Sequence, residues 1–423
     1  MNARVVITGM GVLTPNAHGL QDYEEALRTG RSGIRFIEKL KELNFSCQVA
    51  GVPQNVDELK NKYLSQESLL AMDNAMIYGA IAAIDCWVDA GFKIPEHNED
   101  KVDWDTGAFI GSGVGGASLM CGRVGPFTDQ GKVKRLGSTM VEQTMSSASS
   151  ANIGGLLGLG GQVTTNSSAC STGTEAIINA FFSIKEGRHK RVLAGATEEA
   201  SPYLWAGFDA MRVLSKNFNE IPTQASRPMS ATAAGFVPGS GAGILMIESL
   251  ESAQERGARI YAEIIGAHVN CGGQRNGGSI SAPNPVGVQR CIKKAIEMSD
   301  ISAKQISFIN GHLTATMADV MELPNWQQAL GCTPEEIPLI CSTKSLIGHG
   351  LGAAGGMECV ATILQLYKGF IHGSANCDDL HPKLESFSKS IVHQTRNIDA
   401  HIAAKASFGF GDVNACLLFK RWH

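Results

Sequence analysis

Short apolar runs alternate with longer amphipathic stretches along the whole chain. Val5-Val6-Ile7, Gly107-Ala108-Phe109-Ile110, Arg191-Val192-Leu193-Ala194 and Gly243-Ile244-Leu245-Met246-Ile247 have the length and continuity of buried strands. Later runs at 260–265, 306–310 and 415–419 read the same way. Between them, residues 65–90, 174–186, 252–256, 286–298 and 356–368 carry apolar positions at helical spacing. This alternation predicts an α/β fold with covered sheets. A charged segment at 249–258 follows a long apolar run and sets a boundary near residue 255, giving units 1–255 and 256–423. No low-complexity stretch or short repeat interrupts the pattern.

Composition narrows the classes. A chain of 423 residues is long for one core and fits two packed units. Hydrophobic residues at 43% and charged residues at 18% are ordinary for a globular protein. The 48 glycines are an excess over the usual share of about 7%. They gather in clusters such as Gly111 to Gly116 and Phe408 to Gly411, as tight turns and close backbone approach require. A net charge of −4 argues against a general nucleic-acid binder. The 11 cysteines are odd in number, scattered, and without a Cys-x-x-Cys pair. No leader opens the chain and no apolar run reaches membrane-spanning length, so a cytoplasmic protein with reduced thiols is expected. Neither cysteines nor histidines show zinc-ligand spacing.

Against this background three motifs stand out. Cys170 lies in Ser-Ala-Cys-Ser-Thr-Gly, between the β-prone Gln162-Val163-Thr164-Thr165 and the helix-compatible Thr174-Glu175-Ala176-Ile177-Ile178. A thiol at a strand-to-helix turn meets the positive end of the helix dipole, which predicts a depressed pKa and a reactive thiolate. Most free cysteines are simply small core residues, and the other ten are assigned so. His312 follows the strand-like Ile306-Ser307-Phe308-Ile309, at the end where open α/β sheets place ligands. Thr314 and Thr316 put hydroxyls on its face of an extended loop. His349 is flanked by Gly348 and Gly350, an odd setting for a core histidine. Lys344, ahead of a mostly uncharged stretch reaching Glu358, is either solvated or held in a site. The remaining histidines, His97 and His423 among them, are assigned to the surface or the framework, apart from the undecided His268.

Taken together, these motifs resemble the β-ketoacyl-acyl-carrier-protein synthases with a Cys-His-His triad. The resemblance spans nearly the whole chain. It includes Val6-Ile7-Thr8-Gly9-Met10-Gly11, Ser226-Arg227-Pro228, Gly239-Ser240-Gly241-Ala242-Gly243, and Ser407-Phe408-Gly409-Phe410-Gly411 with Asn414. It implies a thiolase-like fold of two similar α/β halves, with sheets sandwiched by helices in layers. It also implies a decarboxylative Claisen condensation. Cys170 takes an acyl group from acyl carrier protein, and His312 and His349 serve the malonyl half. The backbones of Cys170 and Phe410 form the oxyanion hole, and Phe410 is the gate. Lys344 orients the site and Glu358 anchors it, with Phe408 in support. Thr314 and Thr316 contact the phosphopantetheine arm. Thiolases and chain-initiating synthases lack the second histidine, so elongation is implied.

No metal or dissociable cofactor is implied. The partner is acyl carrier protein, met by a basic patch for which Lys132, Lys134, Arg135, Arg212 and Lys216 are candidates. A homodimer is the default, and a heterodimer with a chain-length-factor-like subunit the alternative. Fatty-acid elongation is the first expectation; a type II polyketide or polyene ketosynthase, or a non-condensing decarboxylase or scaffold subunit, is the alternative. Departures from the family pattern bear on that choice. Leu313 stands where glycine usually follows the first histidine, and the stretch to Asp319 is one residue short. Ser230, Ala233 and Ala234 replace charged residues, Ser240 replaces an acid, and Asp412-Val413 replaces Gly-Thr. Met145, Phe208 and Ile110 are candidates for the acyl-pocket lining.

Overall fold

The computed structural model describes residues 3–96 and 99–422, which leaves His97 and His423 outside. Ten of the eleven strands of one sheet, with six helices, carry the architecture. The first half runs β1 (Val5–Thr14), α1 (Asn74–Asp89), β2 (Thr106–Gly111), α2 (Ala148–Leu156), β3 (Val163–Thr164), α3 (Thr172–Lys185), β4 (Arg191–Glu198) and β5 (Gly241–Ser249). The second runs β6 (Ala262–Cys271), α4 (Pro285–Ser299), β7 (Phe308–Asn310), α5 (Asp319–Leu330), β8 (Leu339–Cys341), α6 (Ala354–Lys368), β9 (Ile402–Gly409) and β10 (Val413–Arg421).

The two halves are topological copies. Strands lie in the order β3-β2-β4-β5-β1 in the first and β8-β7-β9-β10-β6 in the second. In each, the first three strands of that order are parallel and the last two pairings antiparallel. The copies join where Val6 and Ile7 of β1 face Glu263 and Ala262 of β6.

Alternation across the strands sorts the core into layers. Leu193 faces out toward α1 and α2, where Ile81, Ile84 and Ile153 pack. Its neighbours Val192 and Ala194 face in, toward Ile177 and Phe181 of α3 and Val360 and Leu364 of α6. On the other side, Ala404, Ala406 and Leu418 face Ile292 of α4 and Trp326 of α5. The result is helix, sheet, helix, sheet, helix, which is the thiolase-like layering expected.

The central pair α3 and α6 touch backbone to backbone. A Cβ on Gly173 would lie 2.5 Å from the Gly356 nitrogen, and one on Gly355 would lie 2.4 Å from Thr174 Oγ1. This seam holds the N-terminus of α3 beside the loop that enters α6.

The structure departs from the sequence reading in places. The helix expected over 65–90 breaks into Gln66–Leu69 and α1, because the buried Asp73 side chain accepts the Met76 N–H at 2.7 Å and caps a new start. The strand expected from 260 begins at Ala262 and runs on to Cys271 along its partner β10. α5 carries Pro324 in its interior and was not expected.

Candidate active site

Cys170 sits in a single 3-10 turn, Ala169–Ser171, directly ahead of α3. Ala169 takes a left-handed φ of 50°, which lifts the thiol out of the line of the helix. The turn is stitched to the β9–β10 hairpin. Ser171 Oγ donates to the Val413 carbonyl at 3.0 Å, and Thr174 and Ser407 share a hydroxyl bond of 2.8 Å. Gly409 leaves room for this contact, since a Cβ there would stand 3.1 Å from the Cys170 nitrogen.

The expected low thiol pKa is corrected. Burial pushes it up to about 11, against the pull of the Lys344 cation and the Phe410 N–H, with Glu198 and Glu358 adding to the rise. The helix end does not outweigh desolvation here.

His312 leaves the carboxyl end of β7 on a loop held by α5. The His312 and Leu313 N–H groups donate to the two oxygens of Glu322 at 2.7 Å each, and those of Thr314 and Ala315 to Asp319 at 2.7 and 3.0 Å. Leu313 now has an explanation. Its side chain is fully buried in the outer core with Trp326 and Met229, against Gly311, so it packs where a glycine would leave a void.

Both imidazoles are fixed in the same tautomer. His349 Nδ1 accepts the Leu351 N–H at 3.2 Å, while Nε2 lies 3.1 Å from Cys170 Sγ. His312 Nδ1 faces the Lys344 ammonium at 3.4 Å. With Nδ1 accepting, neutral imidazole carries its proton on Nε2. Burial first, then the Lys344 cation, holds both histidines well below the ordinary histidine range. The two rings stand edge to face with centroids 5.4 Å apart.

Lys344 is buried, donates to the His312 carbonyl at 2.7 Å and pairs with Glu358 Oε1. Sequence reasoning missed Lys405. It is fully buried on β9, with Nζ 2.9 Å from Glu358 Oε2. The signal was present: one charge inside the otherwise uncharged run 402–408. Also missed was Glu198 at the end of β4, which accepts the N–H groups of Gly113 and Gly352 at 2.9 Å each and ties the glycine loop after β2 to the His349 loop. Burial pushes Glu198 and Glu322 up to about 7.

Cys170, His312, His349, Phe408, Phe410, Thr314 and Thr316 all line one cleft of about 760 Å³, the threonine hydroxyls 3.0 Å apart. Arg212 and Phe208 line it too. Ile110 does not, being buried at the outer face of β2, and Met145 lies outside the lining as well. Lys132, Lys134 and Arg135 lie on an exposed turn away from the cleft wall, and Lys216 is exposed. The thiol and the two imidazoles lie within 4.8 Å of one another, a spacing a metal ion could use. The Lys344 cation and the protonated Nε2 atoms work against that.

The altered family positions have structural roles. Ser230 Oγ donates to Asp379 at 2.5 Å beside the Arg227 guanidinium, and Ser240 Oγ donates to the Gly51 carbonyl at 3.2 Å. Ala233 and Ala234 line the cleft. Asp412 sits at a left-handed φ of 63°, where glycine is usual, and accepts the Gln274 and Asn284 N–H groups at 2.8 Å each.

The fold is thiolase-like, and its cleft brings Cys170, His312 and His349 together. Residues 2–253 match the beta-ketoacyl synthase N-terminal domain model and residues 261–378 the C-terminal one. The chain belongs to the β-ketoacyl synthase family and is thereby an acyltransferase-type enzyme. It is 35% identical over 420 residues to 3-oxoacyl-(acyl-carrier-protein) synthase 2 of Vibrio harveyi, covering 99% of this chain and 98% of that one. It superposes on a beta-ketoacyl synthase from Burkholderia phymatum STM815 with a TM-score of 0.91 at 29% identity, covering both chains fully. AntDE, a type II polyketide ketosynthase bound to a hexaketide and solved in complex with the acyl-carrier protein AntF, superposes at 0.86 and 26%, again over both full chains. No helix among the described residues is long and apolar enough to cross a membrane.

Proposed function

We propose that the protein is a 3-oxoacyl-acyl-carrier-protein synthase that elongates an acyl chain by decarboxylative Claisen condensation. The observation that carries this reading is the pair of neutral imidazoles presenting Nε2–H beside the Cys170 sulfur. In the first half-reaction Cys170 Sγ bonds to the acyl carbon, the bond to the carrier's phosphopantetheine sulfur breaks, and the thiol proton ends on that sulfur. The oxyanion formed on the way is held by the Cys170 and Phe410 N–H groups. In the second, the malonyl carboxylate leaves as carbon dioxide, and its electron pair passes to the thioester oxygen as an enolate. His312 and His349 donate to that oxygen. The enolate carbon attacks the Cys170 thioester, and the thiolate leaves and regains a proton.

Within this reading Lys344 and Glu358 set the charge behind the histidines, Thr314 and Thr316 receive the phosphopantetheine arm, and Phe410, backed by Phe408, gates the cleft. The division at 1–255 and 256–423 is our proposed domain boundary, supported by the repeated strand order. Acyl carrier protein is the proposed partner. It is acidic, so Lys132, Lys134, Arg135 and Arg212 are its proposed contacts. A homodimer is supported by the edge strand β3, which ends the sheet and exposes Val163. A cytoplasmic location fits the free thiols. The chemistry asks for no dissociable cofactor.

Polyketide or polyene elongation is a second reading, favoured by Ala233 and Ala234 lining the cleft in place of charges. Incubation with acyl- and malonyl-acyl carrier protein, followed by mass spectrometry, tests the proposal. 3-Oxoacyl product is expected. Malonyl loss without condensation defeats the reading, and the acyl series accepted separates the two pathways.

A further inference from the structure

Resting on that reading of the site, we propose that Lys405 is a positioning residue. It occupies the second oxygen of Glu358, leaves Lys344 to hold the Nδ1 side of His312, and so commits that imidazole to offering Nε2–H beside His349.

The odd-numbered face of β9 looks into the central helical layer, where α3 and α6 supply apolar and small side chains. A lysine on that face needs a specific partner, because an unpaired buried ammonium carries a large desolvation cost. Glu358 is the partner and it is shared. Oε1 pairs with Lys344, and Oε2 lies 2.9 Å from Lys405 Nζ. Two cations on one carboxylate leave a net positive charge buried behind the histidines. Lys405 also donates to the Ala406 carbonyl and to Ser407 Oγ, the latter at 3.2 Å. Ser407 in turn shares its hydroxyl bond with Thr174 in the first turn of the nucleophile helix. The lysine therefore bears on both the histidine side and the thiol side of the cleft.

Without Lys405, Glu358 has only Lys344 to neutralise, and the surplus charge that opposes imidazole protonation is gone. Burial, Lys344 and Lys405 act together to keep His312 and His349 neutral. The other titratable groups around the cluster include Cys170 ahead of α3, Glu322 on α5, Glu198 at the end of β4, Tyr23, His372, and the thiols Cys341, Cys359 and Cys416. Glu322 and Glu198, which burial pushes up to about 7, are present in wild type and variants alike, so the comparison reads the change that Lys405 makes.

The test is malonyl-acyl carrier protein decarboxylation measured against pH for the full-length wild type and for Lys405→Met, Lys405→Gln and Lys405→Arg. The two neutral variants should move the acid limb upward by roughly half a pH unit or more, since the histidines then protonate more readily. Lys405→Arg should restore the wild-type limb. A uniform fall in rate with an unmoved limb assigns Lys405 a structural role and overturns the proposal. Failure of both neutral variants to fold, read by circular dichroism, overturns it likewise. A wild type that decarboxylates without condensing defeats the condensing reading instead, and leaves the limb comparison intact as a separate result.

Discussion

The two halves share one strand order but not one charge distribution. In the first, the loop between β3 and α3 delivers Cys170 amid serines, and the loop after β2 is mostly glycine. In the second, the corresponding loops deliver Lys344 with His349, and His312. From the first half the Glu198 carboxylate bears on Cys170, whereas the second brings Lys344, Glu358, Lys405, Glu322 and Asp319, all buried. The duplicated scaffold fixes where functional groups emerge, at the carboxyl ends of corresponding strands. What each half does there depends on whether its loops give room or supply a field. In the proposed reaction the first gives room for an acyl chain and the Cys170 thiol. In the same proposal the second supplies donors and charge for an enolate.

That comparison breaks most sharply at the nucleophile. Cys170→Ala should lower acylation and condensation by at least about 10³-fold while malonyl decarboxylation persists. Acylation of another cysteine in that variant, seen by peptide mass spectrometry, would show the division of labour to be wrong. His349→Asn should lower decarboxylation by ~10²–10³ and acylation much less. Equal loss of both would erase the distinction between the halves. The seam between them comes next. Gly173→Ala sets a methyl against the Gly356 nitrogen, and overpacking of this kind costs about 1–3 kcal/mol, readable as a lowered denaturation midpoint. An unchanged midpoint would mean that the central helices can part.

The smallest effect is in pH. A histidine held below its ordinary 6.5 when folded leaves the unfolded chain binding more protons, so its stabilising contribution is lost as pH falls below that value. Glu198 and Glu322, raised from 4.5 to about 7, have the opposite sign: the native state binds more protons between those values, so stability falls as pH rises through that window. His349→Asn removes one titrating imidazole and leaves both acids. The wild-type Tm should therefore fall more steeply between about pH 7 and pH 5.5 than the variant's, by roughly 1–2 °C. Parallel curves would mean that His349 takes up its proton in the fold as it does in the unfolded chain.

Most strands were legible because a strand covered on both faces reads as a plain apolar run, as at Gly243 to Ile247. The meeting of Cys170, His312 and His349 in one cleft was foreshadowed by the glycine, serine and alanine around Cys170 and His349, which leave those side chains little to pack against. What escaped was of another kind. Asp319 and Glu322 look like the start of any helix, and Glu198 like the end of any strand. Their work, fastening backbone N–H groups of loops distant in sequence, exists only after folding. Lys405 escaped because its partner lies on another element, and the raised thiol pKa of Cys170 because burial is not written in its neighbours.

The glycine seam has a bearing on engineering. Where α3 and α6 meet there is no side chain to absorb a change, so an added methyl moves the helices and, with them, the 3.1 Å separation of Cys170 Sγ and His349 Nε2. Efforts to harden this enzyme against heat belong in the outer helices α1, α2, α4 and α5, where repacking can spend itself before it reaches the cleft.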